Sequence, residues 1–315
     1  MITNNSAKKS AANWTNTSPY DYFNDFISLH ADRYAVLLEC IEKLKLNCTV
    51  IPVEGNKHIF IFPQGQQSLR SSGGIFPFKG KTPFLFSAHY DRVEGSPGAN
   101  DNGIAVFHLL KAAVSFYSKG TNNWIIVFTD KEELRPGESF EEQGAYSLAK
   151  KLKTWGLENA RIFNFDVCGA GNVFIFSTTT DSILKNSESQ NINKVRDEII
   201  KLREYALSAA NNLRMEKVLL APTPFSDEIG FLRAGFAALT VTILPETEAE
   251  LYQNMLRSRG DFTDLIISGK IKEQNESRLL PETWRNINNA SDTISRLTPE
   301  HFEQFVNFVI KLAAG

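Results

Sequence analysis

The chain has 315 residues, with 34 basic and 36 acidic side chains, a formal net charge of −2, 42% apolar residues and 22% charged ones. Length and apolar content allow one large α/β domain with a substantial core. The balanced charge and the lack of a basic face with interleaved aromatics argue against nucleic acid or a membrane surface as a partner.

Residues 1–18 are polar and rich in Asn, Ser and Thr, and read as a flexible lead-in without the apolar core of a signal peptide. From Asp21 to Leu46 the apolar positions Phe23, Phe26, Ile27, Leu37, Leu38, Ile41 and Leu44 recur near helical spacing, which predicts one long or broken helix. Two strands follow, Cys48–Val53 and His58–Phe62, across the turn Glu54-Gly-Asn56, and then a Gly/Ser-rich loop around Ser71–Gly74. After the strand that ends in His89 the pattern alternates. A helix is expected over Gly103–Ser118, a strand over Trp124–Thr129, a helix over Gly144–Thr154 and strands over Ile162–Phe165 and Val173–Ser177. A long helix over Ile192–Leu213, a strand over Ala237–Ile243 and a final helix over Pro299–Ala313 complete the series. The charged, weakly periodic stretch 246–285 reads as an insertion or lid. Such alternation predicts an α/β fold: a single domain, 19–315, with a largely parallel sheet sandwiched between helices. No run reaches the roughly 18–20 apolar residues of a bilayer span. Three cysteines without metal-type spacing, Cys40, Cys48 and Cys168, point to a reducing, cytoplasmic setting.

In open α/β sheets the site lies beyond the carboxyl ends of the strands, and three successive strands here finish in ligand-type residues. His89 ends the run Thr82–Ala88, with Asp91 two residues on, placed to fix the imidazole's tautomer. Asp101 lies in the turn Gly98-Ala-Asn-Asp-Asn-Gly103, where it serves as an N-cap, a metal ligand or both, Gly98 and Gly103 supplying backbone freedom. Glu132 and Glu133 follow the strand that ends at Thr129. Adjacent side chains diverge, so one carboxylate ligates while the other acts as general base. Asp166 ends an apolar strand, where a bare charge needs a partner. Together these residues point to metal-assisted hydrolysis. Cys168, His108 and the Phe-rich stretches read as core.

The series His89-x-Asp91, Gly98-Ala-Asn-Asp-Asn-Gly103, Thr129-Asp-x-Glu-Glu133, Asn164-Phe-Asp166, Ser226-Asp227 and Ser291-Asp-Thr293 resembles the M28 family of zinc aminopeptidases and exopeptidases, from about Thr82 to the carboxyl end. The resemblance implies a mixed sheet between helices and two co-catalytic zinc ions, with cobalt or manganese as substitutes. One ion would be held by His89, Asp101 and Asp166, the other by the bridging Asp101, Glu133 and a last histidine. Glu132 would be the general base, Asp91 would orient His89, and the Asp101–Asn102 peptide would be cis. The implied function is removal of amino-terminal residues from peptides or other aminoacyl substrates.

Two positions depart from that pattern. The last histidine should stand four residues before Asp292, where this chain has Asn288, a poor substitute for imidazole at zinc. The first site is therefore expected to be intact, and the second weak, vacant or filled by another metal. Glu228 replaces a histidine that many members carry after Ser-Asp. Asn288 motivates a rival expectation, a degenerate relative that binds metal or peptide without turnover. A third is glutaminyl cyclisation, carried out by one-zinc relatives at the bridge–Glu–histidine site that Asn288 compromises.

Overall fold

The way side chains alternate on the central strands sorts the helices into layers. The computed structural model describes residues 17–64, 82–185, 189–267 and 277–314. Residues 1–16 of the lead-in, the loop around Ser71–Gly74 and residues 268–276 of the expected lid lie outside the described residues. Eight strands form one mixed sheet: β1 (Cys48–Val53), β2 (Asn56–Ile61), β3 (Phe84–His89), β4 (Trp124–Thr129), β5 (Arg161–Phe165), β6 (Val173–Ser177), β7 (Val218–Ala221) and β8 (Ala238–Leu244). Their order across the sheet is β1-β2-β4-β3-β5-β8-β6-β7.

β4, β3, β5 and β8 are mutually parallel, with His89 level with Thr129 and Ser87 with Asn164. The carboxyl ends of β3, β4 and β5 therefore share one edge. β1 and β2 form an antiparallel hairpin on β4, and β6 runs antiparallel to β8. The reversal at β6 follows from its connection: only residues 166–172 separate it from β5, fewer than a crossover back to a parallel strand takes.

Phe84, Phe86 and Ala88 of β3 and Trp124, Ile126 and Phe128 of β4 face one core, while Leu85, Ile125 and Val127 face another. The first is covered by α2 (Arg33–Lys43), α3 (Ile104–Lys119), α6 (Gln190–Asn212) and the terminal α11 (Phe302–Ala314); the short α1 (Phe23–Ile27) adds Phe23 and Phe26. The second is covered by α4 (Gly144–Thr154) and α7 (Asp227–Arg233). A third core lies where Val173 and Ile175 of β6 meet α8 (Glu246–Ser258), α9 (Phe262–Ile267) and α10 (Glu282–Asn286), around Tyr252, Phe262 and Trp284. The 246–285 segment is thus helical and packed over its described parts. A short α5 (Thr179–Leu184) completes the helices among the described residues.

The long helix expected from Asp21 is broken into a 3-10 turn at Pro19–Tyr22, α1 and α2, and Asp32 caps α2 by accepting from the Ala35 N–H. Asn56, expected in a turn, opens β2 instead. The Phe-rich runs are core, as expected for Phe84, Phe86, Phe163, Phe165, Phe174 and Phe176. Phe305 of α11 closes that core, its ring centroid 5.0 Å from Phe165 and 4.8 Å from His108. Phe305→Ala leaves a cavity there and is expected to cost about 3–5 kcal/mol of unfolding free energy in a urea titration, with the urea slope unchanged.

Candidate metal centre

The shared strand edge brings His89, Asp91, Asp101, Glu132, Glu133 and Asp166 together. His89 is fully buried, with Nε2 3.1 Å from Asp101 Oδ1 and 3.4 Å from Asp166 Oδ1. On the other side of the ring Asp91 Oδ1 lies 3.4 Å from Nδ1. The same Asp91 carboxylate accepts the backbone N–H groups of Glu132 and Glu133, both at 3.1 Å. One side chain thus joins the end of β3 to the loop after β4, which runs irregularly to the start of α4.

Asp101 sits in a turn, Ala99–Gly103, that opens α3, and the Asp101–Asn102 peptide is cis. The capping role considered for Asp101 is not seen. Gly103 is the N-cap of α3 and no side chain caps it, because the Asp101 carboxylate is turned toward His89. Gly98 does take a left-handed conformation, at φ 58°, but Gly103 does not. Gly103 is needed for space, since a Cβ there would lie 2.8 Å from the Gly98 carbonyl oxygen.

This turn is held from far away in the chain. Asp292, buried, accepts from the N–H groups of Asn100 at 2.8 Å and Asp101 at 2.9 Å. Asn102 donates to the carbonyl of Phe165, next to Asp166, at 2.8 Å, and Asn100 accepts from the N–H of Gly169, three residues beyond Asp166, at 2.7 Å. Arg33, buried at the start of α2, donates to the carbonyls of Tyr90, Asp91, Pro97 and Gly98 at 2.6–3.2 Å. Glu132 is held by Gln143, whose amide donates to Glu132 Oε1 at 3.1 Å and accepts from the Gly230 N–H at 3.0 Å. No motif in the sequence marked Arg33 or Gln143; Asp292 stood in a recognisable triplet, without its role. Lys131, Val167 and Asn288, next to or within the site, all have left-handed φ of 54–62°. For β-branched Val167 that is strained, and its carbonyl is held by the Ile243 N–H at 3.1 Å and the Thr242 hydroxyl at 3.0 Å.

The carboxylates crowd one another. Burial raises the Glu132 carboxyl well above the ordinary range, and burial with the neighbouring Asp101 pushes Glu133 up to about 9. Burial also raises Asp227, whose partner is the Thr129 hydroxyl, to about 7. Ionising this cluster therefore calls for a cation. His89, Asp101 and Asp166 offer ligand atoms that all lie within 4.8 Å of one another, and His89 Nε2 and Asp166 Oδ1 make no hydrogen bond. A mixed nitrogen–oxygen set with a carboxylate behind the histidine fits zinc. His89, Glu132 and Glu133 also converge, sharing His89 with the first set. With its nitrogen turned toward them the Asn288 amide reaches Glu133 and Asp101, and an amide stands there in place of the imidazole a second zinc would need.

A cavity of about 230 Å³ opens beside the carboxylates Asp101, Glu132 and Asp166; its lining includes the apolar Phe225, Ile266, Leu280 and Trp284, three threonines and Asn288. Cys168 is buried, its thiol donating to the Val241 carbonyl at 3.2 Å and to the Asp166 carbonyl at 3.4 Å. His108 pairs with the Tyr20 hydroxyl at 2.8 Å, and His301 lies in the 3-10 turn before α11.

A model of peptidase family M28 matches residues 75–313, and the chain belongs to that family. No curated protein matches it. Its fold is similar to that of a leucine aminopeptidase precursor from Bacteroides thetaiotaomicron, at 14% identity and a TM-score of 0.61, covering 95% of this chain and 97% of that one. It is equally similar to a glutaminyl cyclase from the same organism, at 15% identity and a TM-score of 0.60, with the same coverage. A zinc aminopeptidase from Bacillus subtilis is 18% identical with a TM-score of 0.50; the match covers 82% of this chain and 49% of that one, so this chain spans about half that enzyme's length. Among the described residues no helix is long and apolar enough to cross a membrane.

Glu228, in the position where many members of the family carry histidine, is fully buried behind the site. Burial pushes its carboxyl from 4.5 up to about 8, with the Thr240 hydroxyl pulling the other way. A carboxyl raised on folding lends stability at low pH that is lost as pH rises through its folded value. Glu228→Gln cannot ionise, so its unfolding free energy should gain about 3–5 kcal/mol on the wild type between about pH 5 and about pH 9, read by urea unfolding at both.

Proposed function

We propose that this M28 peptidase is a zinc-dependent aminopeptidase, with cobalt or manganese able to substitute, that removes apolar amino-terminal residues from peptides. The observation that carries the reading is the convergence of His89, Asp101 and Asp166 with Glu132 on the wall of an apolar cavity. Zinc held by those three residues would supply a Lewis acid for the scissile carbonyl and lower the pKa of water. Glu132 takes the proton of the attacking water, its carboxylate aimed by the Gln143 amide, and gives that proton to the amine as the carbon–nitrogen bond breaks. Asp91 keeps the proton of His89 on Nδ1, leaving Nε2 to face the ion. The surrounding carboxylates complement the α-ammonium group of a peptide's first residue, and the cavity walled by Phe225, Leu280 and Trp284 receives its side chain.

The glutaminyl cyclase among the similar folds offers a second reading. It would use Asp101, Glu133 and the histidine that Asn288 replaces, so the residue present weighs against it. A binding protein without turnover would have no need of Glu132 beside an intact ligand triad.

Glu132→Gln is expected to lower kcat on leucyl p-nitroanilide by about 10²–10⁴-fold with zinc content unchanged. Wild-type rates in the zinc-loaded variant would rule out Glu132 as the base. Leucyl and phenylalanyl substrates should exceed aspartyl and lysyl ones by at least ~10-fold in kcat/KM, and equal rates across the four would remove the cavity from substrate selection.

A further inference from the structure

Asn288 occupies the place where a second ion would need its last ligand. It follows α10 in a left-handed conformation, φ 62°, which asparagine tolerates better than most residues. With its NH₂ group facing the site, the amide donates to Glu133 Oε1 at 2.7 Å and to Glu133 Oε2 and Asp101 Oδ2 at 3.2 Å each. Turned the other way, its oxygen would face only acceptors and its nitrogen only donors. The hydrogen-bonding orientation therefore aims partial positive charge at the gap between the two carboxylates. A zinc ion there would need lone pairs about 2.0–2.2 Å away from every ligand. An amide nitrogen has none to give, because its lone pair is delocalised into the carbonyl. In that orientation Glu133 and Asp101 have a donor between them.

We infer that this protein holds a single zinc ion, at His89, Asp101 and Asp166, and that the Asn288 amide replaces the second ion by bridging Glu133 to Asp101. The inference rests on the metallopeptidase reading of the site. It assigns the ion to the histidine-bearing triad and gives Glu133 a structural partner in place of a metal.

Zinc counting on the full chain tests it. After loading with excess zinc and desalting, mass spectrometry should find one ion per wild-type chain. Anomalous scattering should place that ion between His89, Asp101 and Asp166. Asn288→His should raise the count to two, and Glu133→Gln, checked for native circular dichroism, should stay at one. Two ions in the wild type would overturn the inference and leave the proposed function standing. So would a lone ion seated between Asp101 and Glu133, or loss of zinc in natively folded Glu133→Gln. A count that stays at one in Asn288→His would overturn the role given to Asn288. No bound zinc in the wild type would overturn the proposed function as well.

Discussion

The Asp91 carboxylate is the constraint on which the site depends. It lies against Nδ1 of His89 while accepting the N–H groups of both Glu132 and Glu133. β3 and β4 run side by side, so their ends are close in any case. Closeness alone would leave the imidazole free to rotate and the loop after Thr129 free to sag. An ionised carboxylate has acceptor sites enough to take both backbone donors while still facing the imidazole, and each charge-assisted bond is stronger than a neutral one. The backbone bonds and His89 hold the Asp91 carboxyl below its ordinary pKa although burial opposes this.

A second constraint acts from a distance. The turn carrying Asp101 is tied by Asp292 from the far end of the chain and by Arg33 from near its beginning. Burial lowers the Arg33 guanidinium to about 9, which still leaves it charged at neutral pH. Its charge is spent on four carbonyls of the Tyr90–Gly98 loop, and a planar fork suits that task as a single ammonium would not. Crowded carboxylates and left-handed residues near the site are individually unfavourable. The deep aromatic core beneath β3, β4 and β5 offsets them and keeps the strand ends in register.

How far the sequence could be read depended on how local each signal was. β1, β4 and β6 are apolar or β-branched runs with clear punctuation whose limits match the expected ones, and β3 ends at His89 as expected. His89 and Asp166 were visible because a charged or titratable group at the end of such a run is costly unless it has a use. β7 escaped notice because it is a short edge strand, half-exposed along most of its length. α7 has only seven residues and begins with buried Asp227 and Glu228, opposite to what helical patterning leads one to expect. Arg33 and Gln143 carried no signal at all. Both act only through hydrogen bonds to residues distant in the chain, and nothing in their neighbourhood along the chain announces them.

In the 246–285 segment the same residues serve as core and as cavity wall. Its charge and weak periodicity suggested a cover over the site, yet Tyr252, Phe262 and Trp284 pack ring against ring into a core of their own. Ile266, Leu280 and Trp284 belong to that core and also wall the cavity beside Glu132. Trimming one of them to enlarge the cavity removes core packing in the same stroke, at about 2–5 kcal/mol for a large-to-alanine change. Phe225 is freer, since it meets Phe140 edge-on at 5.1 Å outside those cores. The shape of the cavity is therefore more readily altered at Phe225 than at Trp284: the loop residue leans on one ring, while the helix residue supports a layer.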